Sequence, residues 1–189
     1  LGSDLLGDVA DHVGGLTHAD VLGDREAFGV REPARMGLAH GWSEADFIAR
    51  VRRQTDIRFR QGLQAMPGAR ELLGTLCTRG LPIAVATNGP RQKVELSLGL
   101  TGLREPFGPH VYCAYEVGSF KPEPGLFLHA AQALGVAPQR CAVVEDSLPG
   151  LQAALAAGMR ACSLHPHAGL PDAVVQRVQF IERLDDLLA

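Results

Sequence analysis

Cys141-Ala142-Val143-Val144-Glu145-Asp146-Ser147-Leu148-Pro149-Gly150 is the stretch that decides the fold. Four apolar residues run without alternation, so neither side of this segment is made for water. Such a strand belongs inside a parallel sheet covered on both faces. Two carboxylates close it, and Leu148, Leu151, Ala154 and Leu155 then recur at helical spacing. The segment therefore reads as a buried strand feeding a helix, with its acids at the junction.

Working outward, the same unit repeats. Pro82 to Thr87 forms a short apolar run, followed by a helix from about Arg91. His110 to Ala114 is strand-like, and Phe127, Ala130, Ala131 and Leu134 line a helix that stops at Gly135. Arg160 to Leu164 and Val178 to Ile181 read as two further strands. Upstream, Pro67 suits a helix start, and Leu72, Leu73 and Leu76 give that helix an apolar face before Arg79-Gly80 ends it. Strands alternating with helices predict an α/β fold, a Rossmann-like parallel sheet core over residues 66–189. Residues 1–65 read as helices only. Thr17-His18-Ala19-Asp20 and Ser43-Glu44-Ala45-Asp46 are capping-box-like starts. The second opens an amphipathic helix with Phe47, Ile48, Val51, Thr55 and Phe59 on one side, and Arg50, Arg52, Arg53, Arg58 and Arg60 read as its solvated face.

The chain of 189 residues carries a formal charge of −3, 46% hydrophobic and 21% charged residues. No basic stripe is present to hold a nucleic-acid backbone, and no apolar run is long enough for a membrane span. The four cysteines are widely spaced, which argues against disulfides or a zinc site and for a reducing cytoplasm. Of 18 basic residues only Lys93 and Lys121 are lysine, so a lysine in a suggestive place carries unusual information.

Ligands of open parallel sheets bind at the carboxyl ends of the strands, and three such ends are polar. Thr87-Asn88-Gly89-Pro90 offers a hydroxyl, backbone donors and a helix N-terminus, which suit an anion; the plainer alternative is a helix cap or a tight turn. Gly118-Ser119-Phe120-Lys121-Pro122-Glu123-Pro124 frames a lysine between stiffening prolines, a compact charge for phosphate or carboxylate oxygens. Glu145-Asp146 supplies hard oxygen ligands of the kind Mg²⁺ takes; adjacent acids could also serve a helix dipole, but burying both without a cation would be costly.

In this order the three segments resemble motifs II, III and IV of the haloacid-dehalogenase (HAD) superfamily, over nearly all of residues 66–165. The helical first third, residues 1–65, looks like the cap of the subfamily that includes β-phosphoglucomutase and phosphoglycolate phosphatase. The resemblance implies that Thr87, with backbone from Asn88 and Gly89, holds the transferring phosphoryl group and that Lys121 bridges it to the nucleophile. It also implies that Asp146 ligates Mg²⁺ with Glu145 as ligand or close partner, and that Thr17 and His18 fall in a substrate-contacting turn of the cap.

The family's motif I is an apolar strand ending in Asp-x-Asp-Gly, whose first Asp attacks phosphorus and whose second is the general acid and base. Asp4-Leu5-Leu6-Gly7-Asp8 imitates it, but no apolar strand precedes Asp4, and Leu6 stands where the second carboxylate is needed. Asp4, Asp8 and Asp11 are therefore expected in the first cap helix and its flanks. The central strand, with a loop and helix of about 20–30 residues, is expected to be missing, and with it the nucleophile. Its neighbours would then carry unpaired backbone groups. The resemblance implies a monomeric, cytoplasmic Mg²⁺-dependent phosphatase acting on a small phosphorylated metabolite such as a sugar phosphate. A phosphomutase and a non-catalytic HAD-like binding protein are the alternatives. A carbon–halogen hydrolase would need no metal, and the Glu145-Asp146 pair argues against it.

Overall fold

The computed structural model describes residues 4–7, 43–164 and 169–188. The expected cap segment at 8–42, with the Thr17–Asp20 box, the His18 turn, Asp8 and Asp11, lies outside these.

Among the described residues six strands, paired in parallel, carry the fold: β1 (Asp4–Gly7), β2 (Val85–Thr87), β3 (Val111–Cys113), β4 (Cys141–Glu145), β5 (Arg160–Leu164) and β6 (Val178–Ile181). One sheet runs β1-β4-β5-β6 and a second pairs β2 with β3, while β1 also lies alongside β2. Helices intervene in the α/β manner: α1 (Glu44–Gly62), α2 (Ala69–Thr78), α3 (Arg91–Thr101), α4 (Ala114–Val117), α5 (Gly125–Leu134), α6 (Leu148–Ala156) and α7 (Asp172–Val175).

The unalternating apolar strands are explained by two cores. Along β4, Ala142 and Val144 face Leu72, Leu76 and Leu98 from α2 and α3. Cys141 and Val143 face Leu126, Phe127, Ala130 and Leu151 from α5 and α6. The strand keeps its period of two, but both faces are covered. The cysteines are free thiols, three buried and Cys77 exposed on α2.

α1 begins as expected, with the Ser43 hydroxyl accepting from the Asp46 amide at 3.1 Å. Thr55 and Phe59 are buried on one side, and the five arginines are exposed.

Two expectations change at β1. Asp4, expected at the flank of a cap helix, is in a strand, and β4 does not face an empty slot. Residues 4–7 pair with it from Asp4 opposite Cys141 to Gly7 opposite Val144. The reason is the cost of leaving the backbone groups of a buried strand unpaired, which a four-residue extended segment removes. The pairing does not bring Asp4 to the site. Its register puts it level with the start of β4, whereas Glu145 closes the other end.

Candidate active site

The polar ends of β2 and β4 meet the Lys121 segment at one edge of the sheet. Thr87, the last residue of β2, is buried, and its Oγ1 accepts from the Gly89 amide at 2.9 Å. This bond closes the turn into α3, so the Gly89 donor expected to face a phosphoryl group is engaged within the turn. Asn88 leaves the turn sideways. Its Oδ1 accepts from the Lys121 amide at 2.9 Å, and its Nδ2 donates to the Lys121 carbonyl at 3.3 Å.

The Lys121 side chain then runs inward. Its Nζ lies 5.0 Å from the Phe127 ring centroid, an attractive cation–π arrangement, and donates to Glu145 Oε1. Both side chains of this ion pair are almost fully buried, at 3% and 2% exposure. Glu145 Oε2 accepts from the Ser147 hydroxyl at 2.8 Å and the Ser147 amide at 3.3 Å. Ser147 is also the N-cap of α6, accepting from the Gly150 amide at 3.2 Å. A Cβ built at Gly150 would overlap the Glu145 carboxyl carbon and both its oxygens. Glycine here is therefore a matter of space rather than of backbone conformation.

Of the residues singled out in the sequence, Thr87, Asn88, Gly89, Lys121 and Glu145 are joined by one chain of contacts. Asp146 follows Glu145 just beyond the end of β4, half-buried. Thr17 and His18 lie outside the described residues. Ser147, Gly150 and Phe127 were given no part in the site from the sequence. Gly150 did leave a signal, since a glycine in the first turn of an otherwise Leu- and Ala-rich helix marks a close approach.

Arg91, the first residue of α3, secures the turn from outside. It clasps Glu116 with two nitrogens, donates to the Val111 carbonyl at 2.8 Å, and pairs with Glu95, which also holds Arg104. The Arg91 guanidinium holds the Glu116 carboxyl below the usual carboxylate range, and Arg104 does the same for Glu95. Carboxylates depressed in the folded state contribute stability that is full above their unfolded pKa and is lost as pH falls below it. The ordinary glutamate value of 4.5 sets the upper edge of that window. These groups are exposed, so the loss should be about 1 kcal/mol or less. Thermal midpoints should fall through this range less steeply at high salt or in Glu116→Gln; identical slopes in all three would exclude the network as the cause.

The family model for haloacid dehalogenase-like hydrolases matches residues 19–158. Hexitol phosphatase A of Escherichia coli K12 is 38% identical over 163 residues, 83% of this chain and 72% of that protein. The 6-phosphogluconate phosphatase of the same organism is 35% identical over 65% of this chain, which spans 53% of that relative's length. A crystal structure of a HAD family hydrolase from Deinococcus radiodurans R1, with bound phosphate and sodium, superposes with a TM-score of 0.67 at 27% identity. That match covers 98% of this chain and 93% of the other. The chain belongs to the haloacid dehalogenase-like hydrolases.

Proposed function

We propose that this chain belongs to a Mg²⁺-dependent phosphomonoester hydrolase acting on a small phosphorylated metabolite, with sugar phosphates the leading class. The carrying observation is the buried Lys121–Glu145 pair tied through Asn88 to the Thr87 turn, a fixed set of charge and donors at the strand ends. Phosphoryl transfer asks the protein mainly for positioning and charge against the equatorial oxygens. With Gly89 engaged, the donor the turn gives is the Thr87 hydroxyl, and Lys121 supplies the positive charge. The names of the two relatives, for hexitol and 6-phosphogluconate phosphatases, support the substrate class.

The donors fit Mg²⁺. That ion takes one or two protein carboxylates and fills its remaining positions with water and phosphate oxygens. Adjacent Asp146 and Glu145 offer such a pair, and among the described residues no cluster of three or more His, Cys, Asp or Glu defines an all-protein cage. Asp146 would hold the ion. Glu145, already accepting from Lys121 and Ser147, would stand beside it with its remaining lone pairs. When bound, the ion supplies Lewis-acid stabilisation of charge on the phosphoryl oxygens. The nucleophile is not assigned to any described side chain.

The same reading, corrected for β1, places the cap within residues 8–65 over a core of β1 and residues 66–189, with Thr17 and His18 toward the substrate. It also makes the protein a cytoplasmic monomer; the free thiols suit the reducing compartment. Among the described residues no helix is long and apolar enough to cross a membrane.

The test is phosphate release from p-nitrophenyl phosphate and a panel of sugar phosphates, by the protein expressed from its complete reading frame, with Mg²⁺ and with chelator. Mg²⁺-dependent release, fastest on a sugar phosphate, is the expected result. No release from any phosphomonoester, or release indifferent to chelation, overturns the reading.

A further inference from the structure

We infer that the Asn88 side chain is a positioning residue for Lys121: its carboxamide holds the lysine's peptide unit, and so fixes where the ammonium group ends. Only the kinetic consequence of this inference rests on the phosphatase reading.

The need arises in the sequence. Lys121-Pro122-Glu123-Pro124 has two residues without an N–H, and the segment belongs to neither a strand nor a helix. Neither a strand ladder nor a helical turn runs through this segment. Asn88, thirty-three residues earlier in the chain, meets both of them, accepting from the Lys121 N–H and donating to its C=O. A primary carboxamide carries both a donor and an acceptor and so can mirror a peptide. Aspartate would satisfy the N–H and set a carboxylate against the carbonyl. Asn88 is itself well anchored, because Thr87 before it is buried in β2 and the Gly89–Thr87 bond closes the turn after it. The lysine is thus held at both ends, by Asn88 at the main chain and by Glu145 at the ammonium. A four-carbon side chain anchored at one end alone would place its charge loosely, and loosely placed charge stabilises a transition state poorly.

Hydrogen exchange of the Lys121 amide, measured by NMR on the ¹⁵N-labelled full protein, reads the bracket directly. In Asn88→Ala that amide should exchange about tenfold faster, while amides of β4 and β5 keep their protection. Asn88→Asp keeps the acceptor and should leave Lys121 exchange within about twofold of wild type. With p-nitrophenyl phosphate and Mg²⁺, both variants should lose kcat with KM little changed, since what is disturbed is the lysine rather than a substrate contact. Unchanged Lys121 exchange in Asn88→Ala overturns the inference. So does a raised KM with kcat intact, which would make Asn88 a substrate contact. A wild type without phosphatase activity would sink the functional reading, and the exchange result would still decide this one.

Discussion

Lys121→Met should be the most damaging single substitution in the core, costing about 3–5 kcal/mol, the range for breaking a buried ion pair from one side. Methionine fills a similar volume and keeps an apolar contact with Phe127, so the loss is not one of packing. What remains is the Glu145 carboxylate, almost fully buried, with Ser147 as its one remaining partner among the contacts described above. For a chain of this size the thermal midpoint should fall by about 10 °C. The site should lose turnover by about 10²–10³-fold, as when a preorganised charge donor is removed. The two effects separate in a double variant. Lys121→Met with Glu145→Gln removes both charges and should recover much of the stability, since a neutral amide is cheaper to bury than an unpaired carboxylate. It should recover none of the activity. A single Lys121→Met variant as stable as wild type would show that the pair contributes nothing to the fold.

Gly150→Ala ranks second, and here two effects of opposite sign compete. Gly150 sits in the first turn of α6, where alanine is favoured by roughly 0.5–1 kcal/mol on helix propensity. Against this, the new methyl would overlap all three atoms of the Glu145 carboxylate. That group cannot retreat, because Lys121 and Ser147 hold it from the other sides. Overpacking of this kind costs about 1–3 kcal/mol, and loss of the Lys121 geometry adds to it. The net result should be destabilisation by about 2 kcal/mol or more, with a loss of kcat as Lys121 is displaced. Urea unfolding of Gly150→Ala decides the sign. A stabilised variant would mean that propensity wins and that the carboxylate has room to move.

These outcomes depend on contacts of different legibility. The strands Arg160–Leu164 and Val178–Ile181 could be read from sequence because the buried interior of a parallel sheet tolerates only apolar runs with turns at their ends. The family could be read because two polar strand ends and the Lys121 segment come in a fixed order. Lys121 stood out against an arginine background. What could not be read is what each polar group touches. Glu145 was read as a ligand or close partner of the metal beside Asp146; that it also accepts from Lys121 was hidden, because this contact exists only once β4 and the Lys121 segment are adjacent. The partner of Asn88 is hidden for the same reason, since the missing donors of Pro122 and Pro124 become a demand only when the β2 turn reaches them. β1 was misplaced because Asp4-Leu5-Leu6-Gly7 is too short for any periodicity. The unpaired edge of β4, a feature of the assembled sheet, decides it.

Asn88 and Lys121 both follow strands of the β2–β3 pair, and the bond from Lys121 to Glu145 crosses the line where that pair meets the four-stranded sheet. The groups proposed for chemistry therefore also suture the two halves of the fold. A protein whose site merely decorates a rigid scaffold can lose its chemistry and persist as a folded decoy that still occupies substrate. Here, loss of the lysine should open the seam and raise the unfolded fraction that proteases clear. Quality control in the cell would then act as a filter on catalytic competence, removing defective copies of this enzyme rather than leaving them to compete with working ones.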